Sequence, residues 1–134
     1  MDTTTLVAPT LTPMGQVRCE VGEILSLGDA ATGERRVVAL TGGVVDGPEL
    51  SGRVVAGGAD WQLARSDGVL EIDAHYVIET ADGARIEVVS QGLRHGPPEV
   101  MARLARGEAV PPEDYFFRTL MRFTTGHPAW RHLN

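Results

Sequence analysis

The chain has 134 residues, of which 43% are hydrophobic and 22% are charged, as in one folded domain rather than a disordered segment. Its formal net charge is −6 and all twelve basic residues are arginine, which excludes Schiff-base chemistry and the lysine of phosphate-binding loops. An acidic chain whose arginines are scattered argues against nucleic acid as a partner. We interpret the absence of lysine as coding bias in a GC-rich bacterial genome.

The N-terminus and the cysteine content predict a cytoplasmic protein with no membrane association. The single cysteine, Cys19, cannot form an internal disulfide, whereas small secreted domains usually contain several. The first fifteen residues lack the basic and apolar stretches of a signal peptide, and no apolar run approaches the length of a membrane span. Zinc-ligand and dinucleotide-binding motifs are missing from the sequence, so we expect neither a metal nor a cofactor.

The chain divides into a short arm and one domain. Residues 1–15 are rich in threonine and proline without a clear period, and we interpret them as a flexible N-terminal arm. From residue 16 onwards, Asp-Gly pairs that favour hairpin turns separate stretches rich in β-branched residues. These turns are Asp46-Gly47, Asp67-Gly68 and Asp82-Gly83. The predicted strands before the helix are 16–27, 34–43, 49–56, 61–66, 69–80 and 84–93.

Strict alternation in residues 69–80 indicates a half-buried antiparallel strand, with Leu70, Ile72, Ala74, Tyr76 and Ile78 on one face. Residues 97–106 predict the one convincing helix, since two prolines suit its first turn and Gly107 suits its end. A last strand is expected over 114–125. Many short strands in hairpin series with one helix predict an all-β fold: a small antiparallel β-barrel, built as a meander, over residues 16–134.

Several runs of the sequence resemble domain-of-unknown-function family 3237. The most specific are GGADWQL at 57–63 and GLRHGPPEVMARLARGE at 92–108, and DYFFRT at 114–119 also fits. The resemblance implies a small antiparallel β-barrel with a helix near one end, and it implies little about activity. It also implies a further strand after Asn134, so we expect barrel closure to depend on something beyond residues 16–134.

Three residues are candidates for a catalytic role. Asp60 follows a double glycine that lets the backbone approach a ligand, and its carboxylate is suited to act as a general acid or base but equally suits the cap of a turn. Tyr76 lies on the apolar face of its strand and, if buried, is either a hydrogen-bond donor in a cavity or a core tyrosine. Arg94 precedes the helix, whose two prolines remove free N–H groups, so an anion site there must rely on side chains.

Four further residues are candidates for substrate binding: Trp61, His95, Tyr115 and Arg118. Trp61 offers a stacking face but equally suits the barrel core, and His95 equally suits a solvated loop. Alternation places Tyr115 and Phe117 on one face of the last strand and Arg118 on the other. The aromatic face is ordinarily the inner one, whereas a barrel with a polar cavity reverses this, and the alternatives stay open. We expect Asp60, Trp61, Tyr76, Arg94 and Arg118 to converge on one cavity.

The sequence favours a cofactor-independent enzyme that rearranges, cyclises or cleaves a small hydrophobic, oxygenated substrate, aromatic or polyketide-like. In this hypothesis Asp60 transfers a proton, Tyr76 and Tyr115 donate hydrogen bonds, and Arg94 or Arg118 stabilises an enolate or carboxylate. The alternatives are a non-catalytic carrier or sensor with the same pocket, and a structural interaction module. Because edge strands 16–27 and 114–125 contain neither lysine nor proline, we also expect a homodimer.

Overall fold

Six antiparallel strands dominate the computed structural model, which describes residues 4–134. One α-helix, α1 (Pro98–Ala105), and two single 3₁₀ turns, Pro112–Asp114 and Arg131–Leu133, complete it. The predicted all-β class with one short helix is therefore confirmed. The strands are β1 (Gln16–Ala30), β2 (Gly33–Asp46), β3 (Gly52–Arg65), β4 (Leu70–Thr80), β5 (Arg85–His95) and β6 (Phe116–Thr124).

The strands form one sheet in the order β1-β2-β3-β4-β5-β6, so each strand pairs with its neighbours in the chain. All five pairings are antiparallel. Within residues 4–134, β1 pairs only with β2 and β6 pairs only with β5, so both outer edges of this meander are open. No helix in the described part of the chain is long and apolar enough to cross a membrane.

The double glycines mark β-bulges rather than strand ends. The register shifts between Leu40 and Val44 on β2, around Gly42-Gly43, and between Val55 and Ala59 on β3, around Gly57-Gly58. The predicted strands 49–56 and 61–66 are consequently wrong as separate elements, because the bulge lets one strand continue through them. Bulges add local twist, which helps a long strand follow a curved sheet.

The three Asp-Gly turns use glycine for two different reasons. Gly68 and Gly83 each adopt a φ of +88°, the left-handed conformation that side chains resist. Gly47 does not; a Cβ there would lie 2.3 Å from the Cα of Gly15, so this glycine permits the close approach of the segment before β1. Residues 4–15 contain no helix or strand, and the flexible arm stays a prediction, with residues 1–3 outside the described residues.

The inner face of the sheet holds an apolar core towards one end. Ile78, Ile86 and Val88 are fully buried there, and side chains from β1, β6 and the C-terminal turn pack against the same cluster. Contacts that run from β1 to β6 require a strongly curved sheet. Burial of these side chains supplies the main stabilisation of the fold, at about 25 cal/mol per Å² of apolar surface. The members of the core are Leu40, Val45, Leu50, Val54, Ala74, Tyr76, Ile78, Ile86 and Val88.

Candidate functional site

Polar side chains gather on the inner face at the end of the sheet away from this core. The Nη2 atom of Arg36 donates to Oε1 of Gln62 at 2.7 Å, and Nε2 of Gln62 donates to Oδ2 of Asp60 at 2.8 Å. The backbone N–H of Asp73 donates to Oδ1 of Asp60 at 3.0 Å. Because both oxygens of Asp60 accept a hydrogen bond, its carboxylate has a fixed orientation.

Strand alternation explains why these side chains meet. Arg36 lies two residues before the buried Val38 on β2, so both point to the inner face. Asp60 pairs with Val38 on one side and with the buried Ala74 on the other, and Gln62 follows two residues later. The sheet register therefore places Arg36, Asp60 and Gln62 side by side on the concave face.

Arg94 reaches the same end of the inner face from β5. It pairs with the buried Leu70 across β4 and with Phe117 across β6. Burial lowers the pKa of its guanidinium. The nearby Tyr115 raises this pKa, and the positive charge of Arg36 lowers it. Arg36 and Tyr115 therefore lie close enough to Arg94 for their charges to act on its guanidinium. Both Arg36 and Arg94 line a cavity of about 130 Å³ beside α1.

Tyr76 belongs to the apolar core and lies two residues beyond Ala74, the β4 residue that pairs with Asp60. Its side chain is 4% exposed, and burial raises its pKa to about 12, with a smaller contribution from Cys19. A phenol with this pKa stays protonated at neutral pH, so its hydroxyl is a hydrogen-bond donor rather than a base. Burial, reinforced by the negative charge of Asp60, also raises the pKa of Cys19, which keeps this thiol protonated and unreactive.

The burial of Tyr76 predicts an alkaline transition. The pKa of Tyr76 in the folded protein is about 12, above its ordinary value of 10. The contribution of the buried, protonated phenol to the free energy of unfolding is therefore complete below pH 10 and is lost as pH rises towards 12. The total loss amounts to about 3 kcal/mol. In a pH titration we expect a step in phenolate absorbance near pH 12 that disappears in Tyr76→Phe and persists in Tyr115→Phe. A late step that survives in Tyr76→Phe contradicts this assignment.

Gly58 keeps space for Tyr76 at the β3 bulge. A Cβ at position 58 would lie 2.6 Å from both the carbonyl oxygen of His75 and the Cβ of Tyr76. We therefore expect Gly58→Ala to destabilise the protein by about 2 kcal/mol, because β4 must shift. Thermal melting measures the loss of stability, and the absorbance step of Tyr76 measures the change in the surroundings of its phenol. Gly22→Ala is the matched control, since Gly22 also lies at a bulge and its nearest atom is 3.4 Å away. Equal effects of the two substitutions would contradict the prediction.

The expectation that five residues converge on one cavity is wrong as stated. Asp60, Tyr76 and Arg94 share the inner face, but Trp61 and Arg118 point outwards because each follows an inward residue on its strand. Trp61 is 42% exposed and lies under Arg35, while the exposed Arg118 donates to the carbonyl oxygen of Phe117.

The two remaining candidates for substrate binding divide in the same way. His95 follows Arg94 on β5, is exposed and stacks on Phe116 at 5.0 Å between ring centroids, away from the polar cluster. Tyr115 is half-buried and lies close enough to Arg94 to affect its pKa. The catalytic and binding roles of all seven residues stay predictions.

Sequence reasoning missed Arg36 and Gln62. The signal for Arg36 was present, because alternation in the run RRVVAL groups Arg36 with Val38 and Leu40 on the face that becomes buried. Gln62 likewise lies two residues beyond Asp60 and shares its face. Within residues 4–134, no group of three or more His, Cys, Asp or Glu side chains comes close enough to hold a metal ion.

Comparison with known proteins identifies the family. Residues 9–134 match the family model described as "Protein of unknown function (DUF3237)". The chain belongs to this family. A UPF0311 protein of Rhodopseudomonas palustris is 42% identical over 117 residues, which cover 87% of this chain and 76% of that protein.

Solved structures agree with this membership. A conserved protein of unknown function from Rhodopseudomonas palustris superposes with a TM-score of 0.83 at 40% identity, covering 91% of this chain and 84% of that one. A protein from Acinetobacter baumannii, described as β-barrel-like, gives 0.71 at 36% identity, covering 94% and 85%. The DUF3237 chain therefore has a β-barrel-like fold.

Part of the chain is also similar to a fungal enzyme. A hydroalkoxylation enzyme of Penicillium herquei is 47% identical over 49 residues, which cover 37% of this chain and 32% of that protein. The structure of an enzyme from Penicillium herquei has a TM-score of 0.62 at 20% identity, covering 95% of this chain and 83% of that one, which shows a shared fold.

Proposed function

We propose that this DUF3237 protein is a cofactor-independent enzyme that uses acid–base chemistry to rearrange, cyclise or cleave a small hydrophobic, oxygenated substrate, aromatic or polyketide-like. The observation that carries the proposal is the carboxylate of Asp60, held by Gln62 and the N–H of Asp73 on the inner face. A carboxylate with a fixed orientation beside Tyr76 and Arg94 forms a set of groups suited to proton transfer.

Each residue of the set has a distinct role. Asp60 accepts a proton from a C–H or O–H group of the substrate and returns it to another atom of the product, so the protein is unchanged overall. Tyr76, whose pKa of about 12 keeps it protonated, donates a hydrogen bond to a substrate oxygen. Arg94 stabilises the negative charge that develops on an oxygen when the proton leaves.

The Penicillium relationship supports a reaction of this type. Hydroalkoxylation adds the O–H group of an alcohol or phenol across a carbon–carbon double bond, so a proton leaves oxygen and a proton arrives at carbon. Asp60 can perform both steps in sequence, and Arg94 can stabilise the oxygen between them. This chemistry is one member of the proposed class, and the relationship supports the class rather than a particular substrate.

Deuterium exchange tests the proposal without knowledge of the natural substrate. The protein is incubated in heavy water with small aryl ketones that carry an exchangeable hydrogen and with allyl phenols that can cyclise, and the products are followed by proton NMR. We expect deuterium incorporation or cyclisation above the rate in buffer for at least one compound. Saturable binding of these compounds with no exchange or cyclisation would overturn the enzyme in favour of the carrier or sensor.

We also propose that the protein is a cytoplasmic homodimer. The open edge of β6 carries Leu120, which is 82% exposed and the most exposed of the apolar side chains identified on the strands. Phe116, Phe117 and Met121 on the same strand are also exposed, so the edge offers both unpaired backbone groups and apolar surface. A two-fold contact that uses this edge twice covers both.

Light scattering coupled to size exclusion tests the dimer. We expect twice the chain mass of 14.4 kDa for the unmodified protein and a shift towards the single-chain mass for Leu120→Glu, because the charge is desolvated at the contact. Leu11→Glu is the control, since Leu11 is 98% exposed and lies before the strands. A single-chain mass for the unmodified protein at micromolar concentration contradicts the dimer.

A further inference from the structure

We propose that Arg36 and Arg94 bind an anionic oxygen group of the ligand, a carboxylate or an ionised phenol or enol, in the cavity beside α1. This inference rests on the proposed function and deepens it, because it assigns a charge and a position to one end of the substrate. The ring or chain of the substrate would then extend along the inner face towards Asp60 and Tyr76.

The cavity is the first observation behind this site. It is an open cavity of about 130 Å³ lined by Arg36 of β2, Arg94 of β5 and the helix residues Met101 and Ala105. Arg65 also borders it, but its guanidinium is paired with Asp67. This volume suits a small functional group rather than a whole ligand, since a water molecule occupies about 30 Å³ of liquid volume. Ala64, Val69 and Leu70 also border the cavity, and apolar walls of this kind strengthen the attraction between opposite charges.

The second observation is that both guanidinium groups have unused donors. The Nε atoms of Arg36 and Arg94 are buried, and neither finds a hydrogen-bond partner within residues 4–134. Buried polar atoms are nearly always paired in proteins, so two unpaired Nε donors at one cavity indicate a missing acceptor. A planar anionic oxygen group matches the fork of N–H groups that a guanidinium presents.

The third observation is a positive charge that carboxylates compensate only weakly. Arg94 forms no ion pair in the described part of the chain, and the carboxylate nearest to Arg36 is Glu34 at 4.0 Å. Asp60 influences Arg94 through its charge, but its two oxygens already accept from Gln62 and Asp73. Two half-buried cations on one cavity repel each other, and an anion between them removes that cost.

Phe117 accounts for only part of the environment of Arg94. The guanidinium carbon lies 5.8 Å from the centroid of the Phe117 ring, a distance at which a cation and a π system attract each other. The face of a ring cannot serve as an in-plane acceptor for Nε, so this contact leaves the unused donor in place.

Titration calorimetry with benzoate, nitrophenolate and the neutral benzamide tests the site. We expect the two anions to bind at least about tenfold more tightly than benzamide, as charge-assisted hydrogen bonds predict. Benzoate binding alone identifies a carboxylate site, and nitrophenolate binding alone identifies a site for ionised phenols or enols. Arg36→Gln and Arg94→Gln should each weaken anion binding at least about tenfold and leave benzamide unchanged.

Matched controls on the outer face separate this site from general electrostatics. Arg35→Gln removes the neighbouring charge on β2, and Arg122→Gln removes an exposed charge on the outer face of β6. Both variants should leave anion binding unchanged. If Arg36→Gln fails to fold, Arg94→Lys serves instead, because it keeps the charge but loses the planar fork and should still weaken binding. Benzamide binding as tightly as the anions, equal losses in the control variants, or no anion binding to the unmodified protein overturns the proposal.

The outcomes also distinguish this proposal from the proposed function. Asp60→Asn should retain anion binding even where proton exchange is lost. Anion binding that depends on both arginines, in a protein without exchange activity, supports the anion site and counts against the enzyme. Exchange activity that does not depend on Arg36 or Arg94 supports the enzyme and counts against the anion site.

Discussion

Replacing Asp60 with asparagine will lower the rate of proton exchange by about 100- to 10,000-fold, the usual contribution of a positioned general acid or base. Asparagine keeps the shape of the side chain and the acceptor for the N–H of Asp73, but it cannot take up a proton. Its NH₂ group also faces the NH₂ of Gln62, so the chain of hydrogen bonds from Arg36 loses one member. The exchange assay in heavy water measures the loss.

Asp73→Asn is the matched control for this substitution. Asp73 lies on β4 opposite the region of Asp60, but its side chain points to the outer face and accepts a hydrogen bond from Gln91 at 3.1 Å. We expect its exchange rate to stay close to that of the unmodified protein. Melting curves of both variants establish that each is folded. Equal rates in Asp60→Asn and the unmodified protein would remove Asp60 from the reaction.

Replacing Ile78 with alanine will lower the free energy of unfolding by about 4 kcal/mol, within the range for deleting a buried isoleucine side chain. Ile78 is 0% exposed and lies in β4, which pairs with β3 on one side and β5 on the other. Its neighbours across the sheet are Val54 and Ile86, both buried, so little can move to fill the cavity. Urea denaturation measures the change.

Val77→Ala is the control for the loss of β-branching in the same strand. Val77 precedes Ile78, points to the outer face and is only half-buried, so we expect a loss of about 1 kcal/mol or less. A similar loss for both variants would mean that strand propensity rather than core packing dominates. Ile78→Ala with a loss below about 1 kcal/mol would show that the core near β4 is not rigidly packed.

The fold was predictable because its determinants are local. Alternation along residues 69–80 fixed which side of β4 is buried, and the observed core includes Leu70, Ile72, Ala74, Tyr76 and Ile78. The helix predicted over 97–106 begins one residue later and ends one residue earlier, as expected from its prolines and from Gly107. The bulge at Gly57-Gly58 was harder, because a double glycine inside a strand and one between two strands look alike in sequence.

The site was only partly predictable because it depends on register across several strands. Asp60 and Trp61 are adjacent in sequence, and only the pairing of β3 with β2 and β4 shows that Asp60 points inwards. Alternation on β6 left the direction of Arg118 open, and the sheet places it outside, as ordinary burial of the aromatic face favours. Arg36 was overlooked because charged residues in strands usually face solvent, and its partner Gln62 becomes apparent only in three dimensions.

The pairing of every strand with its neighbour in the chain also has a consequence for how such proteins diverge. A strand gained or lost at either margin alters one ladder of hydrogen bonds and leaves the other ladders in register. The groups around Asp60 lie on the interior strands β2 to β4, so the β1 margin can change without disturbing them. Arg94 instead contacts Phe117 of β6, so a change at that margin also alters the surroundings of this arginine.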